Sequence, residues 1–263
     1  HYYNAFRLDL PQLNKEIDIG VRNIGRAKLI VFYERLASWI NVTICMQELI
    51  AKSNLYDCLI HPDNSSLKSC RAGLADLDHI GAAPSYQLLM YLLTTNVKED
   101  EIKKLIDFLV KFFVRRNLTD KPRSRDMDVI FIDQIDLLRQ EPGNIDQVID
   151  NLIKKSSLKE EFIRGLEGDL YEDNRAACRF ILCKIEETNY KGIETLPHLW
   201  QRKSTKYLFE IEHVFPQGKN IPQEWVDMIA GGDQKKAKEL QEKYVHKLGN
   251  LTLTAFNPNL SNN

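Results

Sequence analysis

The sequence contains no run of eighteen apolar residues, and its richest apolar stretch, Leu105 to Val114, is interrupted by charged side chains. A helix that crosses a bilayer needs about twenty consecutive apolar residues, so we expect no membrane-spanning segment. The opening residues, HYYNAFRLDL, lack the charged and apolar regions of a secretory signal, and we expect a cytoplasmic location. They also lack an initiator methionine, so we expect a piece of a longer chain.

Cysteine is scarce: there are five, an odd number, and no C-x-x-C pair occurs. This pattern favours reduced, mostly buried thiols in a cytosolic protein over a zinc site. A hydrophobic content of 43% and a charged content of 28% are typical of a soluble globular chain. At 263 residues it is long enough for one or two domains with a sizeable core.

The sequence also lacks an excess of either charge, since its net charge is -1. The whole chain therefore gives no polyanion-binding signal, although a local patch is enough to contact phosphates. One cluster consists of Lys111, Arg115, Arg116, Lys121, Arg123 and Arg125. It is either a DNA-binding surface or a solvated helix end, where cations suit the helix dipole.

Apolar residues recur at helical spacing through most of the chain. The segment from about Leu13 to Ser53 predicts one long helix, or two helices broken near Gly25, whereas Asn64 to Gly81 is non-periodic and predicts a loop. After Thr205 the pattern changes to short strands and helices. We expect a mainly α fold, with a helical scaffold over residues 1–195 followed by a small α/β module over residues 196–263.

The pair Glu212-His213 ends an apolar strand in YLFEIEHVFPQ, and a second strand follows in HKLGNLTLT. A neutral histidine can take a proton from water at physiological pH. A carboxylate oxygen such as that of Glu212 suits a hard cation. An amide oxygen such as that of Asn250 can accept an N–H from the histidine ring and fix its tautomer. These residue types in this order indicate metal-dependent phosphodiester hydrolysis.

The two motifs, E-I-E-H-V-F-P-Q and H-K-L-G-N-L-T-L-T-x-x-N-x-x-L-S-N, closely resemble the HNH (ββα-metal) nuclease domain at the C terminus of GmrSD-type, modification-dependent restriction endonucleases. They also resemble the nicking domain of phosphorothioation-dependent defence proteins. Upstream, the segments from Phe112 to Thr119 and from Tyr171 to Arg175 are similar to the helical linker of that family.

The resemblance implies a role for each matching residue. His213 would be the general base, Glu212 a metal ligand and Asn250 the residue that orients the base. Asn257 would be the second ligand to one divalent ion, Mg²⁺ or Mn²⁺. Asn262 and His246 are candidates for support of the metal or the phosphate.

The resemblance further implies cleavage or nicking of DNA, including modified DNA, in defence against phage. It implies a nucleotide-hydrolysing N-terminal domain or partner subunit as well, whose D-G-Q-Q-R motif is absent from this sequence. Two other functions remain open from the residues. One is a helical DNA-sensing or dimerisation module with an inactive nuclease tail, and the other is an RNA-directed HNH toxin.

Overall fold

The computed structural model describes residues 1–6, 9, 26–39, 41–190 and 198–255. It contains about 70% helix and 5% strand, which confirms the mainly α fold. The chain forms two compact units, residues 1–157 and residues 158–263. We expect a different boundary, near residue 195, between the helical scaffold and the nuclease module. That boundary stays a prediction. None of the helices in the described residues has the length and apolar character that a bilayer crossing requires.

The first unit is helical throughout its described residues. Its helices are α1 (Tyr2–Phe6), α2 (Arg26–Trp39), α3 (Val42–Ile60), α4 (Arg71–His79), α5 (Tyr86–Leu92), α6 (Glu99–Thr119), α7 (Met127–Gln140) and α8 (Ile145–Lys155). Short 3-10 turns lie at Pro62–Asn64, Lys68–Cys70, Ala83–Ser85 and Ser124–Asp126. The predicted helix break near Gly25 lies outside the described residues.

The longest helix of this unit, α6, has the charge pattern of a stable helix. Three carboxylates occupy its first turn, where they face the positive end of the helix dipole. Its inner face contributes Phe112 and Phe113, both buried, and Phe113 stacks on Phe131 of α7 with ring centroids 6.1 Å apart. This aromatic group lies in the apolar core of the unit.

The loop that we predicted over Asn64 to Gly81 is wrong in its second half, because α4 forms there. The segment is short, yet Leu74 and Leu77 are fully buried. Gly73 permits a close approach to α6: a Cβ at this position would lie 2.5 Å from Cγ2 of Ile106. This short helix is stabilised by its packing against other helices. A search for apolar periodicity over a long window does not detect such packing.

The second unit combines helices with two small sheets. Its described helices are α9 (Lys159–Leu166), α10 (Leu170–Asp173), α11 (Arg175–Asn189), α12 (Gln223–Ala230) and α13 (Gln234–Tyr244), with a 3-10 turn at Leu248–Asn250. Its described strands are β1 (Arg202–Lys203), β2 (Lys206–Tyr207), β3 (Glu210–His213) and β4 (Leu251–Thr254). β1 pairs with β2, and β3 pairs with β4, both antiparallel.

Side-chain caps fix where the helices of this unit start. The side chain of Asn174 accepts a hydrogen bond from the backbone N–H of Ala177 at 3.0 Å, which begins α11. Asp233 does the same for Lys236 at the start of α13, also at 3.0 Å. Strand β4 then packs against α11, so the helix supports the small sheet that carries Glu212 and His213.

Candidate active site

The two predicted motifs meet as paired strands. Glu212 lies opposite Thr252, and His213 lies opposite Leu251, the first residue of β4. Successive side chains of a strand point to opposite faces of the sheet, so Glu212 and His213 project in different directions from the same strand end. The pairing therefore places both motifs of the sequence at one edge of the second unit.

His213 is enclosed by aromatic rings and lies near cations. The ring of Tyr171 meets it edge to face with centroids 4.6 Å apart, and the ring of His246 lies 5.5 Å away at 81°. Its Nε2 atom is buried and has no hydrogen-bond partner within the described residues. Burial lowers the pKa of His213, and the charges of His246 and Arg175 lower that pKa further. The lowered pKa favours the neutral, proton-accepting form of the imidazole.

His246 lies beside His213 rather than at a separate place on the surface. Its ring stacks on that of Tyr171 at 5.8 Å, with 7° between the planes. Its Nε2 lies 3.8 Å from a carboxylate oxygen of Glu172, and its carbonyl accepts the backbone N–H of Tyr171 at 3.2 Å. Its buried Nδ1 also has no hydrogen-bond partner in the part of the chain that the structure describes.

Asn250 fastens the loop that follows β3. Its Oδ1 accepts the backbone N–H of Phe215 at 2.7 Å. Its Nδ2 donates to the carbonyl of Phe215 at 3.1 Å and to that of Val245 at 2.9 Å. Its own carbonyl accepts the N–H of Val214 at 2.9 Å. This one side chain joins the segments that follow α13 and β3.

The direct hydrogen bond that we expected between Asn250 and the His213 ring is absent from the described residues. The acceptor oxygen and both donor hydrogens of the amide are used by backbone groups instead. Such bonds satisfy main-chain groups in a loop that lies outside the strand ladder. Any influence of Asn250 on His213 therefore passes through the backbone of residues 214 and 215.

Glu212 supplies an available oxygen ligand. Its side chain is half-buried and makes no hydrogen bond or ion pair within the described residues. No group of three or more His, Cys, Asp or Glu side chains there has an arrangement that could hold a metal ion. A magnesium site needs only one or two protein carboxylate or amide oxygens, with the remainder supplied by water and phosphate. The donor chemistry of Glu212 fits such an ion. Asn257 and Asn262 lie outside the described residues.

The candidate DNA-binding cluster lies on the first unit, and part of it is structural. The guanidinium of Arg116 donates to Pro122 O at 3.3 Å and to Asp120 Oδ1 at 3.0 Å, and it also contacts Ser124. Arg115 donates to the carbonyl of Ser157 at 3.1 Å. The other cations, Lys111, Lys121, Arg123 and Arg125, have exposed side chains. Arg116 therefore holds the end of α6 to the loop that follows it. Arg115 joins α6 to Ser157.

Sequence reasoning assigned no site role to Tyr171, Glu172 or Arg175, all of which lie in or next to the histidine pair. The guanidinium of Arg175 lies over the Tyr171 ring at 4.3 Å. Tyr171 lies in α10 and Arg175 begins α11, with Asn174 between the two helices. Both residues belong to a segment that resembles the family, and this is the signal that could have identified them.

An apolar cleft of about 690 Å³ adjoins Asn250. Phe215, Trp225 and Tyr244 contribute to its lining, and the rings of Phe215 and Trp225 lie 5.2 Å apart. Neither His213 nor Glu212 lines this cleft. The groups capable of acid–base chemistry therefore lie outside the cleft, at the paired strand end.

Comparison with known families gives a match over this unit. Residues 157–263 match the family model for the C-terminal domain of GmrSD restriction endonucleases. No curated protein and no solved structure matches the chain. The matched region contains both strand motifs, the histidine pair and the segment from Tyr171 to Arg175. The resemblance predicted from the motifs is confirmed: residues 157–263 correspond to the C-terminal domain of the GmrSD restriction endonucleases, a family of nucleases that act on DNA.

Proposed function

We propose that the second unit is a metal-dependent HNH endonuclease module that cuts or nicks DNA in a restriction system directed against phage. The observation that carries this proposal is the position of the His213 ring at the end of β3, without a side-chain hydrogen bond in the described residues and with an available carboxylate on the adjacent residue. The family match over the same residues supports a nuclease. The antiparallel pair β3–β4 would be the ββ part of a ββα-metal fold.

His213 would act as the general base. A base must hold its proton acceptor free of other bonds, and the His213 ring makes no side-chain hydrogen bond within the described residues. Tyr171 restricts the ring through an edge-to-face contact, which keeps the nitrogen in one direction. The ring would take a proton from the attacking water as the new phosphorus–oxygen bond forms, while the bond from phosphorus to the leaving oxygen breaks and that oxygen takes a proton from water.

Glu212, with Asn257, would hold one Mg²⁺ or Mn²⁺ ion. Such an ion supplies positive charge to a phosphoryl oxygen and to the leaving oxygen. Asn250 would be a positioning residue, because two of its side-chain hydrogen bonds hold Phe215, two residues after His213. A third joins that segment to Val245. His246, and Asn262 beyond it, would support the phosphate or the ion.

Arg175 would add a positive charge beside His213, in addition to that of the metal ion. Its side chain is exposed, it rests on the Tyr171 ring, and its charge acts on His213. A guanidinium can bind two oxygens of one phosphate through paired N–H donors. This arrangement supports recognition of the phosphodiester that the water attacks. The implied nucleotide-hydrolysing partner and the choice of modified DNA are further parts of the proposal that follow from the resemblance.

The decisive experiment incubates supercoiled plasmid with the protein and Mg²⁺ or Mn²⁺, and follows relaxation and linearisation on a gel. We expect cleavage by the wild type and at least a hundredfold loss in His213→Ala, since removal of a catalytic base costs about that factor or more. His198→Ala is the matched control, because His198 is an exposed histidine of the same unit. Cleavage that survives in His213→Ala would contradict the assignment of the base.

The same assay separates the two other functions. A folded wild-type protein that binds the plasmid and never cuts it would favour a DNA-sensing or dimerisation module. Cleavage of RNA alone, tested with a labelled transcript, would favour an RNA-directed toxin.

A further inference from the structure

The β1–β2 hairpin has three cations within five residues, and none of them is used by the candidate active site. Arg202 and Lys203 form β1, Lys206 begins β2, and Ser204 and Thr205 form the tight turn between them. Ser204 has φ of 59°, a left-handed conformation that a two-residue hairpin turn requires. All five side chains are exposed. The hairpin therefore presents a compact positive surface.

The charge arrangement does not stabilise the hairpin. Lys203 lies directly opposite Lys206 in the strand register. Like charges at opposed positions of an antiparallel pair repel, whereas a purely structural pair would carry opposite charges or apolar groups. Within the described residues, neither lysine forms an ion pair with a carboxylate. The two charges are thus available to an anionic partner.

The base of the hairpin is anchored to α11. The guanidinium of Arg179, a buried residue of α11, lies 3.5 Å from the ring centroid of Tyr207 and donates to the carbonyl of Leu199 at 2.8 Å. On β1, Arg202 also lies over the Tyr207 ring, at 4.4 Å, and donates to its hydroxyl at 2.6 Å. Tyr207 therefore holds the base of the hairpin in place, so binding orders little further backbone.

The hairpin is close to the candidate active site along the chain. Lys206 is seven residues before His213, so their Cα atoms are at most about 25 Å apart. One DNA strand advances about 3.4 Å per nucleotide along the helix axis, and 25 Å corresponds to roughly seven nucleotides. A single duplex can therefore contact both the hairpin and the site.

We propose that the β1–β2 hairpin is a docking surface for the phosphate backbone of the DNA that flanks the cut. The identity of the ligand as DNA rests on the proposed function. The two free lysines would each neutralise one phosphate, without reading sequence, and they would hold the duplex in register with His213. The hydroxyls of Ser204 and Thr205 add hydrogen-bond donors at the same tip.

The test compares two double variants that remove the same charge. Lys203→Gln with Lys206→Gln changes the hairpin, and Lys235→Gln with Lys238→Gln changes exposed lysines of α13. Binding of a fluorescent duplex of about 30 base pairs is measured by anisotropy in EDTA, over a series of salt concentrations. Each phosphate contact contributes about 0.9 to the slope of log K against log salt.

We expect the hairpin variant to lose roughly tenfold in affinity near 100 mM salt and to lower the slope by about two. The α13 variant should match the wild type, and Lys203→Arg with Lys206→Arg should retain the slope. Equal behaviour of the hairpin and α13 variants would overturn the proposal. So would retained duplex binding combined with lost binding to vesicles of phosphatidylserine, which would indicate a membrane partner.

This assay is independent of catalysis, because no divalent ion is present. If the hairpin variant loses DNA affinity and the wild type does not cut plasmid, the proposal of a docking surface is supported and the proposed nuclease function is refuted. A hairpin variant that binds like the wild type, in a protein that cuts plasmid through His213, would refute the docking surface alone. Thermal unfolding of each variant, followed by circular dichroism, verifies that both remain folded.

Discussion

The rings of His213 and His246 lie 5.5 Å apart at 81°, and each has one buried nitrogen without a hydrogen-bond partner in the described residues. Buried polar atoms in folded proteins are nearly always paired, so two unpaired imidazole nitrogens in one contact are unusual. The ring of Tyr171 contacts both histidines. This geometry keeps two imidazole rings in contact while one nitrogen of each has no hydrogen-bond partner in the described residues.

Asn250→Ala should destabilise the second unit by about 3 kcal/mol, because it leaves backbone groups of Phe215 and Val245 without partners. Asn250→Asp keeps the acceptor for Phe215 N–H but places a carboxylate oxygen against the carbonyls of Phe215 and Val245, so it should destabilise the unit as well. The measurement is urea unfolding followed by tryptophan fluorescence. Asn189→Ala, at the exposed end of α11, is the control and should unfold like the wild type. Equal unfolding midpoints for Asn250→Ala and the control would show that the hydrogen bonds of this side chain do not stabilise the unit.

Arg175→Gln should lower the cleavage rate, kcat, by roughly 100-fold, the usual effect of removing a donor that stabilises transition-state charge. Arg175→Lys keeps the charge and should retain part of the rate, since it loses the paired N–H donors. The measurement is single-turnover cleavage of a labelled duplex at saturating protein. Arg164→Gln removes an exposed arginine from α9 of the same unit and should leave the rate unchanged. An unchanged rate in Arg175→Gln would exclude contact with the reacting phosphate.

Cys178 and Cys183 should resist alkylation in the folded protein. Both are fully buried, and burial raises the pKa of each thiol to about 11. Iodoacetamide at pH 8 should modify Cys58, which is only half-buried, well before these two. Mass spectrometry of tryptic peptides, with and without denaturant, measures the order. Modification of all three at one rate would contradict the burial.

The same two thiols predict a loss of stability in alkaline solution. Their folded pKa lies above the value of 9 for a free thiol, so between pH 9 and pH 11 the unfolded chain releases protons that the folded chain retains. Their contribution is therefore complete below pH 9 and falls as the pH rises through this window, by roughly 1.4 kcal/mol per thiol for each pKa unit. Urea unfolding midpoints from pH 8 to pH 11 measure it. Cys178→Ala with Cys183→Ala should have a flatter profile.

Arg179 and Tyr207 should be energetically coupled by about 2 kcal/mol, as expected for a cation over an aromatic face in a buried place. The double-mutant cycle uses Arg179→Met, Tyr207→Leu and the pair of substitutions together, with unfolding free energies from urea titration. Arg202→Gln with Tyr207→Leu provides the comparison cycle at the exposed side of the same ring, and its coupling should be smaller. Additive effects of Arg179→Met and Tyr207→Leu would rule out the anchor.

The sequence alone predicted much of the described fold, because a long amphipathic helix repeats its apolar residues at a spacing that can be recognised without the structure. The helical spacing of apolar residues predicted the mainly α fold, and the two apolar motifs predicted the strands that form β3 and β4. Helix α4 was missed because nine residues give a weak periodic signal and their burial depends on Gly73 approaching Ile106. Contacts between distant segments have no local signature.

The candidate site shows the same division. The Glu212-His213 pair and Asn250 were identified from motif order, and the register of β3 and β4 brings those motifs together. The use of the Asn250 amide was not predictable, because a backbone N–H two residues after His213 competes for the same oxygen. The enclosure of His213 by Tyr171 was also not predictable, since forty-two residues separate them and only the folded chain places them in contact.

Tyr171 precedes all of the strands that carry the motifs, so a segment that contains only those strands lacks the ring that encloses His213. A segment cut at the start of β1 and fused to a new host protein would carry Glu212, His213 and Asn250 but would expose one side of the imidazole to water. Recombination that preserves the proposed chemistry must therefore transfer α10 and α11 together with the strands. The unit of exchange would be larger than the motif by which it is identified.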